Sequence, residues 1–432
     1  MNKIKIYQNT KLGRIKPMHA VNNGPIRGYE SRQNFDTFRD LGIPYVRNHD
    51  ASLSEAYGGA HIVDVHCIFT DFSRDADDEN AYDFTLTDIY TKTIIDTGAE
   101  VFYRLGSSIE HHPKKYGTLV PPDFLKWAKI CEHIIMHYNE GWANGFHYNI
   151  KYWEIWNEPD LDPDDAENKR TWAGTKKQFF DFYNVAAKYL KERFPSLKIG
   201  GPAISGNLKY AEEFLAQLKA PLDFFSYHRY VYIPDFIAET GKKVKRLLEK
   251  YGYDNAECIL NEWNYIKDWN DEIGFLKVIK SIKGAAFSAA VMCVAQRSGV
   301  IDMLMYYDAR IEKIYNGLFD SDTLEPLKGY YAFKMFSRLY QYGNEVKCEC
   351  SEDNIYAISA ADQNEKTAVL ISYFSDTEDP GEKTLVFDSE KSIEKAQLYL
   401  LDKDTDCKNV KTVSSGDEIT IAPNTVILII EE

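Results

Sequence analysis

The sequence predicts an α/β protein: a (β/α)8 TIM barrel with a C-terminal β-sandwich. Three observations carry that reading. Strand-like and helix-like runs alternate without a break from Ile15 to Leu339, the order that builds a parallel sheet. Eight strand runs fall in that span, and eight units over ~320 residues close a barrel. Beyond Gly343 the helical spacing stops, and short alternating runs separated by Asp, Gly, Ser and Pro take over, as a sandwich requires. The expected division is an N-terminal strand segment at 1–12 that pairs with the small β domain, a barrel at 13–342 and a sandwich at 343–432.

Taken in order, residues 3–9 alternate like a strand, and Ile15–Val21 is the first barrel strand, ending in the loop Asn22-Asn23-Gly24-Pro25. Helical spacing around Phe35–Leu41 leads to the strand Ile43–Val46, which delivers Arg47, Asn48, His49 and Asp50. Phe84–Thr97 reads as a helix, and Glu100–Leu105 as a strand that stops at Gly106-Ser107-Ser108. Phe124–Tyr138 places apolar residues at helical intervals, the stripe of an amphipathic helix. In Tyr152-Trp153-Glu154-Ile155-Trp156 aromatic and β-branched bulk surrounds Glu154, which favours a buried strand. Pro159 then ends the ladder and biases Glu158 toward an extended or turn conformation. Glu158 is therefore held at the lip of a strand, whereas Glu154 is expected inside the barrel as a structural hydrogen-bonding residue.

The alternation continues with a helix at Lys176–Phe194 that stops at Pro195, a strand at Leu197–Gly201 and a helix at Leu208–Leu218. Leu222–Tyr227 is a strand running into His228-Arg229-Tyr230, followed by the helix Phe236–Tyr251. Glu257–Leu260 is a strand running into Asn261-Glu262-Trp263-Asn264. A single apolar helix at Phe275–Cys293, the strand Ile301–Tyr306 and the helix Tyr330–Leu339 complete the barrel. Six alternating runs then form the sandwich: 355–360, 367–374, 383–387, 396–401, 418–421 and 425–430.

Composition narrows the function. A net charge of −15 argues against nucleic acid and anionic membrane surfaces, both of which need basic patches; neutral sugars are indifferent to that field. Thirty tyrosines and seven tryptophans suit walls on which sugar rings stack. Seven cysteines form an odd set without framework spacing, so reduced thiols are expected. Residues 1–8 hold lysines but no apolar core of a signal peptide, and no run of ~18 apolar residues is present. The chain reads as cytoplasmic, without nucleic-acid or membrane partners; homo-oligomer formation is compatible with it.

In barrels of this kind the functional groups sit at the C-terminal ends of the strands. Collecting them gives Arg47, His49, Asp50, Asn157, Glu158, Tyr227, His228, Glu262, Trp263 and Tyr307. Glu158 and Glu262 end the fourth and seventh barrel strands, which face one another across a closed barrel. Paired carboxyl groups with aromatic neighbours are what glycosidic cleavage needs: one stays protonated to serve the leaving oxygen, and the other stays ionised to attack the anomeric carbon. Arg47 and Tyr227 are the groups expected to keep the second one charged. His111 and His112 follow the third barrel strand and are placed either in the pocket or on a solvated loop. His133 and His137, at i and i+4, lack a third ligand and the His-Glu-x-x-His order, so a wet helix face is expected rather than a metal site. No metal or cofactor is called for.

Trp156-Asn157-Glu158-Pro159-Asp160-Leu161, Ser226-Tyr227-His228-Arg229-Tyr230 and Leu260-Asn261-Glu262-Trp263-Asn264 resemble the motifs of glycoside hydrolase family 39, in clan A of the glycoside hydrolases. Arg47-Asn48-His49 resembles that family's second-strand Arg-x-His, and Asn316-Gly317-Leu318-Phe319 is similar to its loop after strand eight. The resemblance covers nearly the whole chain and implies Glu158 as general acid/base and Glu262 as nucleophile of a retaining enzyme. Tyr230 and Phe319 join the expected substrate-binding residues. It also implies an exo-glycosidase acting on an oligosaccharide or glycoside, first a β-xylosidase; arabinosidase, galactosidase or iduronidase specificity, or a sugar-binding protein without turnover, are the alternatives. Xylosidase members carry an Asp-Asp pair after the strand-two His, whereas His49-Asp50-Ala51-Ser52 keeps one acid. A retaining pair should stand about 5–5.5 Å apart.

Overall fold

The computed structural model describes residues 2–27, 33–50, 61–377 and 380–432; Ala51 and Ser52 of the motif above lie outside them. The chain opens on β1 (Lys3–Arg14), which stays outside the barrel. Eight parallel strands follow and close on themselves: β2 (Ala20–Asn22), β3 (Tyr45–Asn48), β4 (Glu100–Leu105), β5 (Tyr152–Ile155), β6 (Lys198–Ile204), β7 (Phe224–His228), β8 (Glu257–Trp263) and β9 (Met303–Tyr306). The first barrel strand is shorter than the expected Ile15–Val21, because the backbone amide of Ile15 is already bonded to Gly343 at the edge of the other sheet.

The outer layer holds α1 (Phe35–Asp40), α2 (Val65–Ile68), α3 (Thr85–Asp96), α4 (Phe124–Asn139), α5 (Lys176–Arg193), α6 (Leu208–Gln217), α7 (Asp235–Lys250), α8 (Glu272–Ile279), α9 (Ile282–Ser298) and α10 (Lys328–Tyr340). Side chains start several of them: Asp123 accepts from the Lys126 amide, and Thr175 and Gln178 form a reciprocal capping box. The run expected as one helix at Phe275–Cys293 is two, α8 and α9, bent by 75°. Ser281 adopts extended backbone there and its hydroxyl accepts from the Lys283 amide, which ends one helix and starts the next.

Strand alternation sorts the barrel residues into two sets. Inward-facing Ala20, Phe102, Phe224, Ile259, Met303 and Met305, with Tyr45 and Tyr152 against them, plug the lower end with an apolar layer. Their neighbours in sequence, such as Val46, Tyr103, Trp153, Phe225 and Leu304, point outward into the core shared with the helices. One step above the plug the inward positions turn polar: Asn22, Arg47, Arg104, Glu154, Ser226 and Asn261, all without solvent exposure. A buried polar layer is tolerable only when its members satisfy one another.

The remaining strands are β10 (Asn344–Cys350), β11 (Ile355–Ala361), β12 (Thr367–Tyr373), β13 (Lys383–Ser389), β14 (Ala396–Leu401), β15 (Lys408–Val413), β16 (Glu418–Ile421) and β17 (Thr425–Glu431). With β1 they make one curled nine-stranded sheet ordered β15-β14-β17-β12-β11-β10-β1-β13-β16. β1 runs antiparallel to β10 and parallel to β13. β10 and β15 are additional to the six expected runs; both are rich in charged and polar residues and lack a clear apolar face in sequence. β11 is buried throughout, since Ile355 and Ala357 face the sandwich interior while Tyr356, Ile358 and Ala360 face the barrel's helices.

Candidate active site

Arg47 organises the upper end of the barrel. Its Nε donates to Glu154 at 2.7 Å, Nη1 to Glu262 and Asn22 at 2.8 and 3.0 Å, and Nη2 to Asn157 at 2.8 Å. Glu154 also accepts from Ser226 Oγ at 2.6 Å and Asn261 Nδ2 at 2.5 Å. Glu154 is thus the structural group expected from the sequence, fixing the guanidinium that reaches the second glutamate.

Glu262 collects donors on both oxygens. Oε1 faces Arg47 and, at 3.3 Å, His49 Nε2; Oε2 accepts from the Tyr230 hydroxyl at 2.8 Å and lies 3.3 Å from His228 Nδ1. Arg104 Nε donates to His49 Nδ1 at 3.2 Å, so that nitrogen carries a lone pair and the proton sits on Nε2, aimed at Glu262. Burial, then the Arg47 charge, holds His49 well below the usual histidine range, and it stays neutral. Burial raises the Tyr230 hydroxyl well above its ordinary value, so it remains a donor.

Glu158 has one such partner, His228 Nδ1 at 2.7 Å. Burial lowers His228 to about 4, so this partner is neutral. Burial pushes Glu158 up to about 7 against the opposing pull of Arg47 and Arg170. Burial raises Glu262 too, opposed by the Arg47 charge and by the hydrogen bond from Tyr230. We assign the ionised form to Glu262, because a cation and a hydroxyl donate directly to it, whereas among the described residues Glu158 meets a single neutral imidazole nitrogen. An oxygen of each carboxyl group and a nitrogen of His228 all lie within 4.8 Å of one another. Such a trio has metal-ligating spacing, yet the donors aimed at Glu262 already occupy lone pairs that a cation would need.

The loop geometry at β5 explains how Glu158 enters this space. Trp156 takes φ +75° and Glu158 φ +46°, costly values for side chains of that size. Trp156 is held outward by Trp172 and Phe182 at ring-centroid distances of 5.1 and 5.5 Å. The Glu158 amide donates to Ala203 and its carbonyl accepts from the Thr171 hydroxyl.

Against this geometry, the model of "Glycosyl hydrolases family 39" matches residues 2–272, more than half the chain. The chain belongs to that family. It is 28% identical over 209 residues to a β-xylosidase of Geobacillus stearothermophilus, covering 44% of this chain and 37% of the relative. It is 26% identical over 248 residues to a β-xylosidase of Caldicellulosiruptor saccharolyticus, covering 53% and 46%. The matches thus span less than half the length of either relative. Among solved structures, a glucosidase from Croceicoccus marinus superposes with a TM-score of 0.77 at 21% identity over 100% of this chain and 99% of that one. A family 39 β-xylosidase from Caulobacter crescentus gives 0.69 at 17% over the whole of both chains. These two establish a shared fold.

On this family 39 barrel, Glu158, Glu262, Arg47, His49, Asn157, His228 and Tyr230 converge. Asp50 and Tyr307 form an adjoining group: the Tyr307 hydroxyl donates to Asp50 at 2.7 Å, and Asn23 Nδ2 reaches Asp50 at 2.6 Å and Asp308 at 3.2 Å. Burial pushes Asp50 upward, but the Lys313 ammonium, 3.4 Å away, and the Tyr307 hydroxyl that donates to it act the other way, and it is held low; Asp308 is raised by burial and by Asp50. Three expected binding residues point elsewhere. Tyr227 occupies an outward position of β7, where its hydroxyl meets Cys258; Tyr230 supplies the hydroxyl to Glu262 instead. Trp263 packs outward on Tyr306 at 5.3 Å. Phe319 is sealed against Phe38 and Tyr330. His111 and His112 are exposed and line a cavity of about 960 Å³ beside Trp127 and Trp156, which neither glutamate lines. His133 and His137 are not on a wet face. Both are buried, bonded through Nδ1 to the carbonyls of Lys129 and Trp142, and His137 stacks on Phe84 at 3.6 Å.

The sequence reading missed Arg104, Asn22 and Lys313. A charged residue between bulky neighbours near the end of a strand, as Arg104 is between Tyr103 and Leu105, was the available signal for the first.

Proposed function

We propose that the chain is a retaining exo-glycosidase that releases terminal non-reducing sugars from oligosaccharides or glycosides, with β-linked xylose as its sugar. The observation that carries this is that two buried carboxyl groups each bring an oxygen within 4.8 Å of the other's, the close spacing that suits a retaining pair. An inverting enzyme needs about 6.5–9.5 Å to seat a water between them. Both relatives' name, β-xylosidase, supports the choice of sugar.

In this reading Glu158 gives its proton to the glycosidic oxygen as the C–O bond breaks, and Glu262 attacks the anomeric carbon. Forming that ester removes a negative charge close to Glu158, so its acidity rises. The ionised Glu158 then takes a proton from the incoming water, whose oxygen displaces Glu262. Asn157 Nδ2, buried and without a partner among the described residues, offers a donor to a sugar hydroxyl, and the Asp50–Tyr307 group offers further polar contacts to the same ring. A cytoplasmic setting belongs to the proposal, supported by seven cysteines that are all free thiols.

The test uses an aryl β-xyloside with a good leaving group. Glu262→Ala should lose activity on every substrate. Glu158→Ala should keep its first step but lose about 10²–10⁴-fold in turnover for want of a base. Azide should rescue the Glu158 variant and yield a glycosyl azide of the substrate's own configuration, while the Glu262 variant gives the inverted product. Opposite stereochemistry would exchange the two roles, and undiminished activity in both variants would end the proposal.

A further inference from the structure

We propose that Trp269 is a stacking platform for the first sugar ring of the leaving group, a carbohydrate subsite just outside the carboxylate pocket; this rests on the exo-glycosidase reading above. Trp269 sits on the loop between β8 and α8 and is 60% exposed, the one tryptophan among the exposed large hydrophobic side chains of the described residues. A single exposed apolar residue is ordinary, but the position of this one is not. Its ring meets Tyr230 edge-on at 5.3 Å and 72°, and Tyr230 is the residue whose hydroxyl holds Glu262. From Trp269 the rings continue through Phe275 at 6.3 Å, Tyr315 at a further 6.0 Å and Tyr307 at 5.7 Å. An aromatic arc therefore runs from the hydroxyl on Glu262 to the hydroxyl on Asp50, and its outermost member is the exposed indole.

The loop is held as a rigid support. Ile266 donates to the Val231 carbonyl, Asp268 accepts from both nitrogens of Asn270, and Asp271 caps α8 through the Gly274 amide. Lys267 and Tyr265 tie its base to Asp376 of the curled sheet at 2.6 and 2.7 Å. Fixing an indole in water gains nothing from burial; it gains if a ligand covers the ring, since no ordering cost remains to be met on binding. The electron-rich face of an indole suits the C–H edge of a sugar ring. In an exo-acting enzyme the terminal sugar fills the buried polar pocket, so the part of the substrate that reaches an exposed ring is the leaving group.

The experiment compares xylotriose with β-D-xylosyl fluoride, whose leaving group has no ring. Wild type, Trp269→Ala and Trp269→Phe are assayed on both, with melting curves to confirm folding and gel filtration to record the oligomeric state. The kcat/KM ratio of xylotriose to fluoride should fall about tenfold in Trp269→Ala, chiefly through KM, the equivalent of about 1.4 kcal/mol. Trp269→Phe should retain most of it. Equal losses on both substrates, or an unchanged ratio with altered oligomeric state, would overturn the platform; the latter would make the indole a contact between copies. If the wild type cleaves the fluoride, the exo-glycosidase reading survives such a failure. If it does not, both readings fall.

Discussion

Glu158 and Glu262 are equally deep, and what separates them is the charge and number of the groups that donate to them. A cation, a tyrosine hydroxyl and a neutral imidazole N–H converge on Glu262; among the described residues one neutral imidazole nitrogen reaches Glu158. On the proposed roles Glu158 must be protonated, and its value of about 7 sets the basic limb: kcat/KM should fall as pH rises through about 7. Tyr230→Phe removes a donor that favours the ionised form of Glu262, so the pKa of that group rises and the acidic limb moves to higher pH. The accompanying loss should be about 10–100-fold near the optimum, the worth of one hydrogen bond to a charge. A pH profile in which the acidic limb of Tyr230→Phe stays in place would detach this hydroxyl from the nucleophile.

At the scale of elements, the site depends on where strands break their own alternation. Tyr227 of β7 pairs with Leu260 of β8, but the next residue, His228, pairs with Glu262; Leu260 and Trp263 then match Leu304 and Tyr306 on β9. β8 thus holds one extra residue, a bulge that lets both Asn261 and Glu262 serve the barrel interior while Leu260 and Trp263 face out. Gly106 plays the complementary part beside β5. At φ +131° it passes the Trp156 backbone so closely that a Cβ would stand 3.0 Å from both Trp156 Cα and its ring. Gly106→Ala should therefore displace the turn that aims Glu158. A destabilisation of about 1–3 kcal/mol, read as a lowered Tm, should come with a fall in kcat larger than any change in KM; a variant with wild-type melting and turnover would show that the close approach does not matter.

For the whole molecule, barrel and curled sheet share one core. Phe374 packs on Phe287 of α9 at 5.4 Å, Ser372 donates to the Ala286 carbonyl, and Tyr356, Leu370 and Leu428 join the cluster that fills the barrel's outer layer. α9 is buried along nearly its full length, which no helix on a bare barrel surface would be. Removing residues 343–432 should expose that face and give an insoluble or molten barrel, while the full chain should melt in a single calorimetric transition. Two resolved transitions, or a soluble barrel fragment with native circular dichroism, would contradict this.

The sequence by itself determined the alternation of eight strands with helices, the change to short strands after Gly343 and the two glutamates at strand ends, because periodicity and Pro159 are local signals. Glu154 was legible for the same reason: a carboxylate amid Trp153 and Ile155 has to find partners inside. Direction was not legible. Tyr227, Trp263 and Phe319 carry the chemistry of sugar contacts in their composition, yet which face a strand residue presents depends on its phase against its neighbours, and the bulge in β8 shifts that phase without leaving a mark in the residue types. The exchange of Tyr227 for Tyr230, the proton of His49 set by Arg104, and the burial of His133 and His137 all follow from contacts between residues far apart in the chain. Those contacts exist only once the barrel has closed, and so tertiary structure alone decided them.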